Sequence, residues 1–159
     1  MILEKKLLFK YKNFSSEFRT LLEKDVNQEY INGLKHQKEY IENIPSVVSF
    51  VSQKIYINKI INSKYDTISG LFMDGELVGT AGVQLSIDKN TNIKFGTIGI
   101  FIFNLNYRGI GLGKALVWAS TFLHNKITNT KLFVAGMEKS NTPSLKSFLS
   151  CGFQKTSEG

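Results

Sequence analysis

The sequence predicts an α/β fold with a mixed, mostly antiparallel central sheet that is preceded by helices. Three observations support this class. Apolar residues recur at helical spacing up to about residue 61, strand patterns joined by short turns follow from residue 66, and helix and strand alternate after residue 108. The predicted order is therefore strand, two or three helices, three antiparallel strands, helix, strand, helix, strand. At 159 residues, the chain is expected to form a single domain, 1–159.

The N-terminal part contains one predicted strand and the helices. Residues 6–11 have the apolar and aromatic content of a strand. Residues 14–22 carry apolar side chains at helical spacing, behind residues that can cap a helix, which predicts a first helix. Further helices are predicted over 25–34 and from about 49 to 61. The stretch 35–45 fits neither pattern and is left unassigned.

The middle of the chain predicts three antiparallel strands. The strand patterns at 67–73 and 77–87 flank Asp74-Gly75, a dipeptide typical of a two-residue hairpin turn. A polar turn over 88–92 then leads into a strand over 93–103. Short turns of this kind join neighbouring strands that run in opposite directions.

The C-terminal third alternates helix and strand. A helix follows the glycines and ends between 124 and 129, and a buried strand is predicted over 131–137. Thr142-Pro143 starts the last helix, because proline is well accommodated in a first helical turn. Cys151-Gly152 ends that helix, and a final strand is predicted over 153–156.

Composition excludes several classes of protein. No apolar run approaches the roughly 18 residues that a membrane span needs, and the N-terminus lacks the pattern of a signal peptide. The single cysteine, Cys151, excludes an intrachain disulfide and a cysteine-based zinc site. Neither a metal nor a membrane partner is therefore expected, and a cytoplasmic location is favoured.

The net charge of +7 has two interpretations. Nucleic-acid binding is one, but it ranks low because the chain has only two arginines, Arg19 and Arg108, and no dense basic run. The favoured interpretation is a lysine-rich solvated surface, which would also help to capture an anionic ligand. No nucleic-acid partner is therefore expected.

The stretch 98–116 carries the strongest functional signal. A strand breaks at 104–107, three glycines alternate over 109–113, and a helical pattern then begins. The first amides of a helix are unpaired and carry partial positive charge, and alternate glycines let an anion approach the backbone. Arg108 and Lys114 add full charges. A plain strand-to-helix connection is the alternative, which the flanking charges disfavour.

The spacing of the glycines narrows the range of phosphate ligands that the turn could bind. A Walker loop requires G-x-x-x-x-G-K followed by Ser or Thr, yet Ala115 follows Gly113-Lys114. A dinucleotide turn requires G-x-G-x-x-G, whereas this chain has G-x-G-x-G. The segment does fit R-x-x-G-x-G, starting at Arg108. It thereby resembles the acetyl-CoA pyrophosphate loop of the GNAT superfamily of N-acetyltransferases.

A second motif near the C-terminus strengthens this resemblance. In the superfamily, an Asn is followed at fixed spacing by a small residue, an aromatic residue and Gly-Phe. The matching residues here are Asn141, Ser144, Phe148, Gly152 and Phe153. The resemblance covers essentially the whole chain, and DVNQEYINGL at 25–34 resembles the branch that acetylates ribosomal-protein N-termini.

The resemblance implies an acetyl-CoA site. Main chain at 101–103 would pair with the pantetheine arm as an added strand, which requires a V-shaped splay between the strands at 93–103 and 131–137. The glycine turn would hold the pyrophosphate, Asn141 would bond to pantetheine, and Phe148 would lie near the thioester sulfur. The implied cofactor-binding residues are Phe101, Ile102, Phe103, Arg108, Gly109, Ile110, Gly111, Leu112, Gly113, Lys114, Asn141 and Phe148.

The implied reaction is direct attack of a primary amine on acetyl-CoA, with loss of the amine's proton. Two side chains common in the superfamily are absent: Phe148 stands where a tyrosine often acts as acid, and Thr97 where a glutamate often acts as base. Ser144 or a water is the candidate acid. Glu138 is the candidate base, with His36 as an alternative. For both Glu138 and His36, a solvated surface role is the other interpretation.

The acceptor and the assembly stay open at this point. The acceptor amine is a protein N-terminus, an amino sugar, or another small-molecule or peptide amine. A non-catalytic acyl-CoA-binding module is the alternative function. The resemblance implies one more strand than the sequence pattern shows. We therefore expect either that the strand at 153–156 takes that place beside 131–137, or that a neighbouring chain does so in a homodimer.

Overall fold

The structure, a computed structural model, describes residues 1–3, 5–36, 48–137 and 141–156. Within these residues it contains one six-stranded sheet and four α-helices. The strands are β1 (Leu7–Tyr11), β2 (Phe14–Thr20), β3 (Thr67–Met73), β4 (Glu76–Ile87), β5 (Lys94–Ile102) and β6 (Leu132–Val134). The helices are α1 (Gln28–His36), α2 (Phe50–Ile61), α3 (Leu112–Thr128) and α4 (Thr142–Ser150), with 3-10 turns at Glu23–Asp25 and Leu105–Tyr107.

The sheet is mixed and mostly antiparallel, as predicted. Its strands lie in chain order from β1 to β6. Neighbouring strands from β1 to β5 are antiparallel, whereas β5 and β6 run parallel, with α3 as the crossover between them. A parallel pair needs such a long connection, so the helix after the glycines allows the last strand to be parallel.

Helices cover both faces of the sheet. Leu71 and Phe72 are consecutive on β3 and therefore lie on opposite faces. Leu71 joins a buried cluster with Leu116 of α3, and Phe72 joins another with Ile31 of α1 and Ile57 of α2. None of the helices in the described part of the chain combines the length and the apolar character needed to cross a membrane.

The helix predicted over 14–22 is wrong, because most of this stretch forms β2. Its side chains alternate, with Ser16, Phe18 and Thr20 buried and the residues between them less so. β2 bonds to β1 on one side and to β3 on the other, and Lys12, at φ 54°, turns the chain between β1 and β2. Two strand partners outweigh the helical spacing, because strand formation depends on packing against neighbours.

The other N-terminal and central elements agree with the prediction to within three residues. α1 and α2 lie where helices are predicted over 25–34 and 49–61. β3 and β4 form the predicted hairpin around Asp74 and Gly75, whose φ values of 48° and 84° are the positive values that a type I′ turn requires. Of the unassigned stretch 35–45, only the first two residues are described, as the end of α1.

The final strand predicted over 153–156 is wrong, because Phe153 completes the end of α4 instead. Its amide bonds to the carbonyl of Phe148 at 3.2 Å, and the amide of Gly152 bonds to the carbonyl of Leu149 at 3.1 Å. Gly152 has φ 90°, and the rings of Phe148 and Phe153 lie 5.0 Å apart. These are the two bonds, the left-handed residue and the apolar contact of a Schellman cap.

β6 is shorter than the predicted 131–137 and forms one edge of the described sheet. Leu132 and Val134 are 48% and 40% exposed. A groove of about 1350 Å³ lies between β6, α3 and α4. The expectation that 153–156 pairs beside β6 is therefore wrong, while pairing with a neighbouring chain stays a prediction.

His124, on α3, is a buried titratable side chain. It is 1% exposed, its Nδ1 lies 3.0 Å from Thr128 Oγ1, and its Nε2 makes no hydrogen bond of normal geometry within the described residues. Burial lowers the pKa of His124 below its ordinary value of 6.5, opposed in part by the backbone of Tyr65 and by Asp66. The folded protein therefore holds this ring neutral.

The free energy of unfolding should fall in acid because of His124. The unfolded chain takes up a proton near pH 6.5 and the folded chain only at lower pH, so the stabilising contribution is complete above pH 6.5 and is lost as the pH falls below it. Urea denaturation at several pH values measures this. His124→Asn should remove this part of the pH dependence, and His36→Asn, at an exposed position, should keep it. An unchanged pH dependence in His124→Asn would contradict this explanation.

Candidate functional site

β5 and β6 part after only three paired residues. The parallel register joins 95–97 of β5 to 132–134 of β6, and Thr97 with Val134 is the last pair. β5 nevertheless continues to Ile102. Beyond Thr97 this edge of β5 therefore has no strand partner among the described residues, and we call the space beside it the cleft. It lies where the resemblance implied a V-shaped splay.

One edge of β5 faces this cleft. Phe103 donates its amide to the Val78 carbonyl at 3.2 Å, on the β4 side. Main-chain groups alternate between the two sides along an antiparallel strand, so those of Phe101 also face β4, and those of Ile100 and Ile102 face the cleft. Of the main chain at 101–103 that is expected to pair with pantetheine, Ile102 faces the cleft together with Ile100, whereas the main-chain groups of Phe101 and Phe103 face β4. The pairing itself stays a prediction.

Asn104 ends β5 and fixes the chain that follows it. It is 4% exposed, and its Oδ1 accepts from the Asn106 amide at 3.1 Å, which turns the chain. Its Nδ2 donates to Glu76 at 2.9 Å and to Glu29 at 3.3 Å. One buried side chain thus ties the starts of α1 and β4 to the segment that enters the glycine turn.

Glycine is required at the three positions of the turn for different structural reasons. Gly109 and Gly111 have φ values of 76° and 85°, the left-handed region that a side chain disfavours. Gly113 lies inside α3, where a Cβ would collide with Ser147 of α4. Backbone in which left-handed and right-handed residues alternate forms concave anion-binding nests. Gly111 is also the N-cap of α3, whose first amides are unpaired. The turn can therefore present several amides to one anion.

Two cationic side chains flank the turn. Lys114 is exposed on the first turn of α3. Arg108 donates from Nη2 and Nε to the Ile102 carbonyl, at 3.0 and 3.3 Å. Since that carbonyl faces the cleft, the guanidinium lies where the cleft meets the turn. Both charges add to the partial positive charge of the α3 N-terminus.

α4 packs against α3 and against β5 where the cleft begins. Asn141 is its N-cap, and Asn141 Oδ1 accepts from the Ser144 amide at 3.4 Å. Phe148 is 3% exposed and shares a buried cluster with Ile98 of β5 and Val117 of α3. The second sequence motif therefore has a structural explanation, because it caps α4 at both ends and anchors it on the sheet.

Comparison with protein families decides the class of the protein. The family model described as "Acetyltransferase (GNAT) family" matches residues 35–153. The chain belongs to the GNAT acetyltransferase family. Members of this family use acetyl-CoA. A comparison with curated proteins gave no match.

Solved structures of acetyltransferases share the GNAT fold of this chain. Glucosamine-6-phosphate N-acetyltransferase from Arabidopsis thaliana is 18% identical, with a TM-score of 0.68 over 91% of this chain and 95% of that one. An aminoglycoside acetyltransferase from an uncultured soil metagenomic sample, solved with trehalose, is 14% identical, with a TM-score of 0.67 over 91% and 93%. AAC(6′)-Iy, solved with the bisubstrate analogue CoA-S-monomethyl-acetylneamine, is 17% identical, with a TM-score of 0.65 over 91% and 94%. At these identities the likeness shows the fold alone.

The candidate catalytic residues of this GNAT chain differ in position and burial. Ser144 is half-buried on the first turn of α4, and His36 is exposed at the end of α1. Thr97 is exposed where the cleft opens. Glu138 lies outside the described residues. Burial raises the pKa of the Cys151 thiol, which fits a structural cysteine rather than a nucleophile.

The segment 25–34, which resembles the ribosomal-protein branch of the superfamily, has a structural role. Asp25 bonds to Arg19 at 2.8 Å, and Asn27 Oδ1 accepts from the Tyr30 amide at 2.9 Å at the start of α1. Tyr30 and Ile31 are buried on the α1 face of the sheet. Packing and helix capping therefore explain this part of the pattern, while the resemblance to the ribosomal-protein branch stays a prediction.

Two contacts at the site have no signal in the sequence. Tyr11 bonds to the turn from β1, and Asn104 bonds to Glu29 and Glu76, so both join segments that are distant along the chain. The cleft-facing edge of β5 also has no signal in residue type alone. The strand period of two places residues 100 and 102 on one edge, once the neighbouring hairpin strand is known.

Gly109→Ala tests the left-handed turn. Beyond its chain neighbours, no described atom lies within 4 Å of a Cβ at Gly109, so the expected loss in the free energy of unfolding is backbone strain of about 1–2 kcal/mol. Gly99→Ala is the matched control, since a Cβ there also meets no described atom and its φ is not left-handed. Equal stability of the two variants in urea denaturation would show that the turn is not held in this conformation.

Proposed function

We propose that this GNAT-family chain is an acetyl-CoA-dependent N-acetyltransferase that transfers an acetyl group to a primary amine by direct attack. The observation that carries the proposal is the continuity of the cleft with the glycine turn. The cleft-facing main chain of Ile100 and Ile102 leads directly into the amides and charges of 108–114. This arrangement suits a long ligand with amides along its arm and a pyrophosphate at one end, as in acetyl-CoA.

In this proposal the donor bonds to main chain along its length. The pyrophosphate binds the amides from Gly109 to Lys114, with Arg108 and Lys114 as counter-charges. The pantetheine amides bond to Ile100 and Ile102, as a strand added to β5. The Arg108 guanidinium must then leave the Ile102 carbonyl and can turn to the pyrophosphate. Asn141 and Phe148 are proposed as contacts from α4.

The acetyl transfer needs a base for the amine proton, a hydrogen-bond donor for the carbonyl oxygen and a proton source for the CoA thiolate. The amine nitrogen loses a proton to a base and attacks the carbonyl carbon of the thioester. Negative charge builds on the carbonyl oxygen, where a cleft-facing amide such as that of Ile100 can donate a hydrogen bond. The carbon–sulfur bond breaks and the CoA thiolate takes up a proton, which leaves an N-acetyl amine and CoA. Ser144 or a water is the proposed acid, and Glu138 the proposed base.

The acceptor is proposed as a class of amine. Enzymes named for glucosamine-6-phosphate and for aminoglycosides share the fold, which supports an amino sugar or another small amine. A protein N-terminus has less support, because the residues that resemble that branch are explained by packing. We also propose that residues 1–159 form a single domain and that the protein acts in the cytoplasm.

A non-catalytic acyl-CoA-binding module is the second candidate. Phe148 and Thr97 favour it, because they stand where many members of the superfamily have a proton donor and a proton acceptor. Phe148 also has a structural role, in the buried cluster with Ile98 and Val117.

Binding and transfer can be measured separately. Acetyl-CoA at about 100 times its Kd should raise the free energy of unfolding by about 2.7 kcal/mol. Release of the CoA thiol is then followed with glucosamine-6-phosphate, an aminoglycoside and a peptide with a free N-terminus, and the acetylated product is identified by mass spectrometry. Stabilisation with thiol release supports the transferase, and stabilisation without release supports the binding module. No stabilisation at millimolar acetyl-CoA contradicts both.

A matched pair of variants tests the pyrophosphate site. Gly109→Asp and Gly109→Asn have nearly the same shape and both tolerate a left-handed backbone, so they differ in the negative charge of Asp and the N–H donors of Asn. Gly109 is exposed, and a carboxylate about 4 Å from one phosphate charge costs about 1 kcal/mol in water. We expect Gly109→Asp to bind acetyl-CoA at least about fivefold more weakly than Gly109→Asn in isothermal titration calorimetry. Equal affinities would mean that the pyrophosphate binds elsewhere.

A further inference from the structure

We propose that Tyr11 is a positioning residue for the pyrophosphate-binding turn, because it holds the peptide between Ile110 and Gly111 in one orientation. This inference rests on the proposed function and extends the site to the N-terminal hairpin of β1 and β2. Tyr11 is the last residue of β1, and 99 residues separate it from Ile110 in the sequence.

The contact is a single short hydrogen bond. The Tyr11 hydroxyl donates to the Ile110 carbonyl oxygen, and the two oxygens lie 2.6 Å apart. The bond is partly buried, where water competes less for the carbonyl. Tyr11 and Ile110 also pack against the apolar cluster that holds α3 on the sheet. The bond therefore links two segments that are already anchored to the same core.

The planarity of the peptide converts this bond into a direction for the next amide. In a trans peptide the carbonyl and the following N–H point in opposite directions. With the Ile110 carbonyl held towards Tyr11, the Gly111 amide points to the side of the turn away from the hairpin. Gly111 is the N-cap of α3, so this amide adjoins the unpaired amides of the first helical turn. Tyr11 thereby fixes the anion-binding orientation of the turn without contacting the anion.

The fit between Tyr11 and Gly111 is close. A Cβ on Gly111 would lie 2.5 Å from the Tyr11 hydroxyl oxygen and 3.8 Å from the ring carbon that bears it. The hydroxyl therefore fills the space that a methyl group would need. Gly111→Ala should consequently be less harmful when position 11 lacks the hydroxyl.

The hairpin holds the turn segment at a second point. The ring of Phe14, the first residue of β2, packs edge-on against Tyr107 with centroids 5.5 Å apart and planes at 60°. The Tyr107 hydroxyl in turn donates to Glu76 at 3.3 Å. Loss of the Tyr11 hydroxyl alone should therefore leave the hairpin docked, so its effect falls on the turn rather than on the fold.

Tyr11→Phe removes the bond and keeps the ring. We expect the Kd for acetyl-CoA, by isothermal titration calorimetry, to rise about three- to tenfold, as for the loss of one neutral hydrogen bond. ADP, which carries the pyrophosphate without pantetheine, should lose affinity by a similar factor. S-acetylpantetheine, which lacks the pyrophosphate, should lose less than about twofold. KM for acetyl-CoA should rise while kcat stays unchanged, because the bond acts equally in the ground and transition states.

Two further variants complete the test. Tyr65→Phe, which removes the hydroxyl of an exposed tyrosine, is the matched control and should bind acetyl-CoA like the wild type. Gly111→Ala should weaken acetyl-CoA binding by a smaller factor in Tyr11→Phe than in the wild type.

Three results would overturn the inference. One is an unchanged Kd for acetyl-CoA in Tyr11→Phe. Another is an equal loss of affinity for ADP and for S-acetylpantetheine, which would indicate a general loss of structure. The third is an effect of Gly111→Ala that is the same with and without the Tyr11 hydroxyl. Failure of the wild type to bind acetyl-CoA would instead remove the proposed function itself, so the two failures are distinguishable.

Discussion

The parting of β5 from β6 is the constraint on which the rest of the structure depends. Pairing ends at Thr97 and Val134, so the remaining length of β5 directs one edge of main-chain groups into a cleft. Polar backbone groups are costly to leave unpaired away from water. Arg108 meets one of them, the Ile102 carbonyl, and a ligand with amides of its own can meet others. The cleft therefore favours an extended ligand that bonds as a strand does.

The elements around this cleft owe their positions to packing before chemistry. Asn104 ends β5 and binds the start of two other elements, which sets where the glycine turn begins. Gly113 lets α4 approach α3, and Gly152 closes α4 so that Phe153 packs back on the helix. Tyr11 holds the turn from a hairpin at the other end of the chain. The two sequence motifs of the GNAT family are thus also the residues that assemble the cleft.

Local patterns were sufficient where one residue's conformation decides the structure. The hairpin at Asp74-Gly75 and the glycine turn follow from φ requirements that the sequence shows directly. The sequence prediction for residues 14–22 is wrong because their conformation depends on two partner strands, and that for 153–156 is wrong because Phe153 completes the helix cap. At the site, the glycines and the α4 motif could be predicted. The Tyr11 bond could not, because it joins distant segments, and the edge of β5 that faces the cleft depends on its pairing partner rather than on residue type.

Amide hydrogen exchange, followed by NMR with and without saturating acetyl-CoA, tests most directly whether the cleft edge of β5 receives the donor. We predict that acetyl-CoA slows exchange at the amide of Ile100 and at the amides of the glycine turn. The amide of Phe103, already bonded to Val78, should slow only by the factor with which acetyl-CoA stabilises the whole fold, so it serves as the internal reference for the larger effect at Ile100. Unchanged exchange at Ile100 while acetyl-CoA is bound would contradict the assignment of the cleft.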